Sequence, residues 1–103
     1  MYFNVYARAE PIRMMLKHAG VDFVDERITM EEWPEKKASD FPCKKLPAWH
    51  QDGQWFTESK AILRYVGVQH GFYPADYVLA WKADAIVDFL VPFFDIINVR
   101  LLN

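Results

Sequence analysis

Hydrophobic and polar positions change period several times along the chain, and each change marks an element. Met1-Tyr2-Phe3-Asn4-Val5-Tyr6 is aromatic and β-branched, which predicts a short strand. Ile12, Met15, Leu16 and Ala19 then recur at i, i+3, i+4 and i+7, the spacing of one buried helical face. That helix starts near Pro11, whose missing N–H would be unpaired in a first turn anyway. Gly20 ends it, because glycine takes the left-handed conformation readily. Residues 21–28 read as a second strand, interrupted by Asp22, Asp25 and Glu26. Thr29-Met30-Glu31-Glu32 has capping-box spacing and predicts a short polar helix from there to about Ser39. Pro42 and Pro47 bracket a loop.

The second half opens with a hairpin. Asp52-Gly53 lies between the aromatic-rich arms Ala48-Trp49-His50-Gln51 and Gln54-Trp55-Phe56, and the tight turn demands the positive φ that glycine tolerates. Ser59 suits the N-cap of a following helix whose face carries Ile62, Tyr65, Val66 and Gln69, closed by Gly71. A last helix starts near Asp76 with a stripe of Leu79, Ala83, Ile86, Val87 and Leu90, and Pro92 is expected to end or kink it. A strand–helix–strand unit places its strands in parallel through a crossover, and the hairpin adds antiparallel strands. The pattern predicts an α/β fold: a thioredoxin-like mixed sheet, βαβ-α-ββα, with helices on both faces. Residues 1–70 form this domain, 71–75 a linker, and the helix within 76–103 lies beyond it.

Composition narrows the function classes. With 103 residues, 52% of them hydrophobic and 17% aromatic, the chain supports one compact domain and is not globally disordered. Twelve basic against fourteen acidic residues leave a net charge of −2, with no basic excess to neutralise a phosphate backbone, so nucleic acid is excluded as a partner. The one cysteine, Cys43, cannot form an intrachain disulfide and fits a reducing compartment; it reads as an ordinary loop thiol, although Lys44 and Lys45 beside it could lower its pKa. No signal peptide is visible over residues 1–8, and the apolar run Phe89-Leu90-Val91-Pro92-Phe93-Phe94 falls far short of the ~20 residues a membrane-spanning helix needs. A soluble, cytoplasmic protein is expected. His18, His50 and His70 are dispersed, so no metal is assigned.

Several motifs carry a resemblance when taken together. Tyr2-Phe3-Asn4, Arg8-Ala9-Glu10-Pro11-Ile12-Arg13, Glu31-Glu32-Trp33-Pro34, Leu46-Pro47, Asp52-Gly53 and Glu58-Ser59-Lys60-Ala61-Ile62-Leu63-Arg64-Tyr65 stand in the order seen in cytosolic glutathione transferases. The first and third look like the sigma class. The resemblance runs from Tyr2 to about Phe89. It implies a first domain that holds glutathione, with residues 76–103 as the first, truncated helix of a helical domain.

The resemblance also implies roles for particular residues. Tyr2 would be the catalytic hydroxyl: a phenol donating a hydrogen bond to the glutathione sulfur favours the thiolate, whose unperturbed pKa lies near ~8.5. Arg8 would support the thiolate electrostatically. In the stretch between them, Tyr6 and Ala7 depart from the family pattern. Pro47 looks like the family's cis-proline, which lets Leu46 offer its N–H and C=O to the cysteinyl part. Ser59 opens a helix whose free N–H groups and dipole attract an anion, here the γ-glutamyl carboxylate, and Glu58 can accept from the adjacent ammonium. Trp33, Lys37 and Lys45 match positions at the glycyl end, with Lys44 an alternative for Lys45. The bland readings are a strand aromatic for Tyr2, a plain N-cap for Ser59 and solvated charges for Arg8 and the lysines. Asp84 and Asp88, like charges at i, i+4, could face a basic patch on a second subunit or simply solvent.

Two function classes follow. One is a glutathione transferase that activates the thiol for attack on an electrophilic small molecule, or for isomerisation or peroxide reduction. The other is a non-catalytic, transferase-like structural or assembly subunit. In either case, the apolar segment 89–102 implies a homodimer or larger assembly through the 76–103 helix.

Overall fold

The computed structural model describes residues 1–4 and 8–102, with side chains as far as Phe93. Tyr6, Ala7 and the apolar side chains expected beyond Phe93 lie outside the described residues. The elements follow in the order β1 (Tyr2–Phe3), α1 (Glu10–His18), β2 (Arg27–Ile28), α2 (Trp33–Ala38), β3 (Ala48–Gln51), β4 (Gln54–Thr57), α3 (Ser59–Gln69) and α4 (Tyr77–Leu102). This is the thioredoxin-like α/β arrangement followed by a helix.

β1 and β2 pair in parallel, Tyr2 opposite Arg27 and Phe3 opposite Ile28. β3 and β4 pair antiparallel around Asp52-Gly53, whose φ values of 52° and 77° are the two positive angles a type I′ turn requires. Met1 joins the two pairs. Its nitrogen donates to the Ala48 carbonyl at 2.6 Å, and its carbonyl accepts from the Ala48 N–H at 3.0 Å. Such a reciprocal exchange is the narrow pair of an antiparallel ladder. It aligns the strands as β2-β1-β3-β4.

Alternation along the hairpin divides the core between two faces. Trp49 and Phe56, opposite each other, pack on Ile12, Leu16, Ile62 and Val66 between α1 and α3. Burying each such aliphatic side chain contributes roughly 1.5–3 kcal/mol. Ala48 and Trp55 have the opposite parity and join Phe41, Cys43, Trp33 and Leu46 in a second cluster.

Three elements, β2, α2 and α4, differ in extent from the sequence expectations. Of residues 21–28, only Arg27–Ile28 is a strand. Asp25 instead turns its carboxylate to Arg13 and Arg27. The capping box forms, with Thr29 N–H donating to Glu32 Oε2 at 3.0 Å and Glu32 N–H to Thr29 Oγ1 at 3.1 Å, but over a turn, so α2 begins four residues later than expected. Pro92 neither ends α4 nor interrupts it: the helix runs to Leu102. The proline removes one backbone bond, that to the Asp88 carbonyl, from a helix of 26 residues.

At its start α4 is capped by Asp76, whose Oδ1 accepts from the Val78 and Leu79 N–H groups at 2.9 and 3.0 Å. Asp84 and Asp88 meet α3 of the same chain, not solvent alone. Arg64 Nη2 lies 3.2 Å from Asp84, Lys60 Nζ 3.0 Å from Asp88, and the Tyr73 hydroxyl donates to Asp84 at 2.9 Å. These partners offset the like-charge pair. Of the expected stripe, Ala83 and Val87 are half-buried, while Leu79, Ile86 and Leu90 are exposed.

Candidate functional site

The site is assembled where β1, the approach to α1 and the loop before β3 converge. Tyr2 is 5% exposed and packs with Ala9, Phe3 and Leu46. The Met1–Ala48 junction is what brings Tyr2 and Leu46 together, because it lays β1 beside the start of β3. Leu46 is half-buried, and the Leu46–Pro47 peptide is cis. Phe3, next to Tyr2, meets Trp33 edge to face at 6.4 Å, so α2 approaches the same corner.

Glu58 and Ser59 sit at the start of α3, where the cap falls one residue earlier than the N-cap reading of Ser59 expects. Glu58 is the N-cap and Ser59 the first helical residue. Glu58 holds φ 71°, ψ 108°, a left-handed conformation uncommon for a residue with a Cβ. Such strain persists only where the surroundings impose it, and it clusters at ligand sites. No side chain caps α3, so the plain N-cap reading of Ser59 is set aside. The first-turn N–H groups and the positive end of the helix dipole together favour an anion. Ser59 shares an apolar cleft with Arg8, Pro11, Leu63, Val87 and Leu90. Arg8 and Ala9 are consecutive, so the approach to α1 touches Tyr2 with one residue and the Ser59 cleft with the next.

The lysines separate clearly. Lys44 Nζ donates to the carbonyls of Lys37 and Ser39 at 2.8 and 3.0 Å, capping the negative end of α2. The side chains of Lys37 and Lys45 are both exposed. Cys43 is buried, and desolvation pushes its thiol above its usual pKa, so the neighbouring lysines do not activate it.

Arg13 is the residue the periodicity reading missed. The buried positions of α1 and its N-cap are Ala9, Ile12, Arg13 and Leu16, the i, i+3, i+4, i+7 face one step from the expected one. A charged residue in an apolar slot was the available signal. Arg13 donates from Nε to Asp25 Oδ1 at 3.0 Å and from Nη2 to the Phe3 carbonyl at 3.1 Å, and Nη1 lies 3.4 Å from Glu10. Burial works against the charge on Asp25, but hydrogen bonds from Arg27 and Arg13 and their charges outweigh it and hold the carboxyl below its ordinary value.

The family described as "Glutathione S-transferase, N-terminal domain" matches residues 1–67. A glutathione S-transferase of Anopheles gambiae is 39% identical over 87 residues, covering 84% of this chain and 42% of that protein. The solved Nu-class transferase of Haemonchus contortus superposes with a TM-score of 0.79 at 36% identity, covering 91% of this chain and 46% of the other. Prostaglandin synthase D of Nilaparvata lugens gives a TM-score of 0.80 at 31% identity, covering 99% and 52%. The chain thus spans about half the length of the relatives it matches.

Proposed function

We propose that this chain, which belongs to the glutathione S-transferase family, binds glutathione and activates its thiol for attack on an electrophilic small molecule. The observation that carries the reading is the Tyr2–Ala9 cluster at the junction of β1 and β3, against which Leu46 packs. It sets a phenol beside the backbone segment that would hold the cysteinyl part of the ligand. Leu46 and the cis-Pro47 would receive that part, and Glu58 and Ser59 the γ-glutamyl end, where the uncapped α3 start suits a carboxylate. Trp33, Lys37 and Lys45 would meet the glycyl carboxylate, Lys44 being committed to α2. Arg8, on the Ser59 cleft, would favour the thiolate by its charge.

The Tyr2-Phe3 and Glu31-Glu32-Trp33-Pro34 motifs support a sigma-like class, within which isomerisation and peroxide reduction use the same activated thiol. Residues 1–70 would form the glutathione-binding domain, 71–75 the linker and 76–103 the first helix of a helical one. A single free cysteine supports a reducing, cytoplasmic setting. Among the described residues, no helix is long and apolar enough to cross a membrane. Family membership favours this reading over a purely structural subunit.

The test is a titration of the bound thiol by thiolate absorbance. Tyr2→Phe should raise its pKa by ~1 unit or more while changing glutathione affinity little, because the phenol acts on the thiolate and not on the resting ligand. An identical titration in both proteins would remove Tyr2 from its role.

A further inference from the structure

Arg13 is the one buried charged side chain among the described residues. A buried guanidinium is costly unless its nitrogens are paired. Here the pairing is spread over three segments: the Phe3 carbonyl in β1, Asp25 ahead of β2 and Glu10 in α1 itself. The guanidinium carbon lies 5.8 Å from the centre of the Tyr2 ring, within cation–π range. β1 is assigned over two residues only, so its ladder with β2 is short. Arg13 adds what that ladder lacks. It fastens the carbonyl next to Tyr2 to α1, and fastens α1 to the arm leading into β2.

We infer that Arg13 is a positioning residue, one that holds the Tyr2 phenol in place to donate to the sulfur of bound glutathione. The inference rests on the proposed role of Tyr2. Two routes are open to an arginine here, charge and geometry. The charged groups on the elements around Tyr2 are Arg8, Glu10, Arg13 and Lys17 from α1 and its approach, Asp22, Asp25, Glu26 and Arg27 from the β2 arm, Lys44 and Lys45 from the loop before β3, and the Met1 amino group. Glu10 and Asp25 both sit against Arg13 and offset its charge. Geometry is therefore the larger contribution. Lysine would keep the charge, but its compact ammonium cannot reproduce a planar fork that reaches three oxygens in fixed directions.

The experiment titrates the thiol of glutathione bound to the full chain in four proteins: the parent, Arg13→Lys, Tyr2→Phe and the double variant. Arg13→Lys should raise the thiol pKa by about one unit, with glutathione affinity held within about threefold. The double variant should titrate like Tyr2→Phe alone, since a residue acting through the phenol has nothing left to act on. A merely structural role would instead add its shift in both backgrounds. A parent-like thiol in Arg13→Lys, or equal shifts with and without the phenol, overturns the inference. If Arg13→Lys does not fold, Asp25→Asn loosens one arm of the same grip. It should give a smaller shift that also vanishes in the Tyr2→Phe background, and a parent-like titration there overturns the inference equally. No shift from Tyr2→Phe itself overturns the role of Tyr2 and, with it, this dependence on Arg13.

Discussion

Lys44 and Lys45 are neighbours with different partners, and the difference gives the residue scale its clearest prediction. Lys44 spends its ammonium on two carbonyls at the end of α2. Lys45 is exposed beside Leu46, and in the proposed reading it meets the glycyl carboxylate together with Lys37. Lys45→Ala should weaken glutathione binding severalfold, an effect that fades as salt rises, because exposed charge pairs are screened. Lys44→Ala should change affinity less and instead speed amide exchange in α2. Calorimetry at two salt concentrations, with hydrogen exchange, checks both, and the reverse ranking would contradict the assignment. At this scale, the sequence shows which residue types are present more readily than which partner each one takes. Ser59 reads as an N-cap because serine is a common one, yet the strained φ of Glu58 moves the cap back by a residue. Arg13 escapes notice because its burial depends on oxygens contributed by β1 and Asp25, which local spacing cannot reveal.

Elements fixed by local chemistry were legible from the sequence: the Gly20 stop, the Asp52-Gly53 turn, the Thr29–Glu32 capping box and the span of α3. Elements fixed by tertiary contact were less so. Residues 21–28 are β-prone, but Asp25 is drawn to two arginines, and only the last two residues find a strand partner. Pro92 is a helix breaker by propensity, yet α4 continues past it. In α4, Ala83 and Val87 turn inward and the Lys60–Asp88 and Arg64–Asp84 pairs fasten it to α3. This leaves a long apolar face outward, with Trp81 65% and Phe89 68% exposed and Phe93 tilted against Phe89. Lone chains rarely expose apolar patches beyond a few hundred Å². Sedimentation should therefore show the purified chain associating at micromolar concentration, and Phe89→Lys should reduce that association. A single species of 12.2 kDa across that range would contradict the expectation.

Across the whole molecule, separate elements converge on one corner. Met1 and Ala48 join two strand pairs, which brings Leu46 onto the Tyr2–Ala9 cluster. α1 and α3 share the Ile12–Leu16–Ile62–Val66 core, which holds Arg8 and Ser59 on one cleft. The thioredoxin-like architecture was legible because most of its elements, α1, the β3–β4 hairpin and α3 above all, have local signals of their own. The assembled site was not, because its distances arise from packing between elements. The central claim is that the start of α3 receives the anionic γ-glutamyl end of glutathione. The measurement that tests it most directly is calorimetric titration of glutathione into the parent chain and into Ser59→Ala. The account predicts saturable binding to the parent and a loss of ~1 kcal/mol or more, roughly fivefold in Kd, in the variant, as removal of a charge-assisted hydrogen bond implies. Equal affinity in the two proteins, or no binding to either, would contradict it.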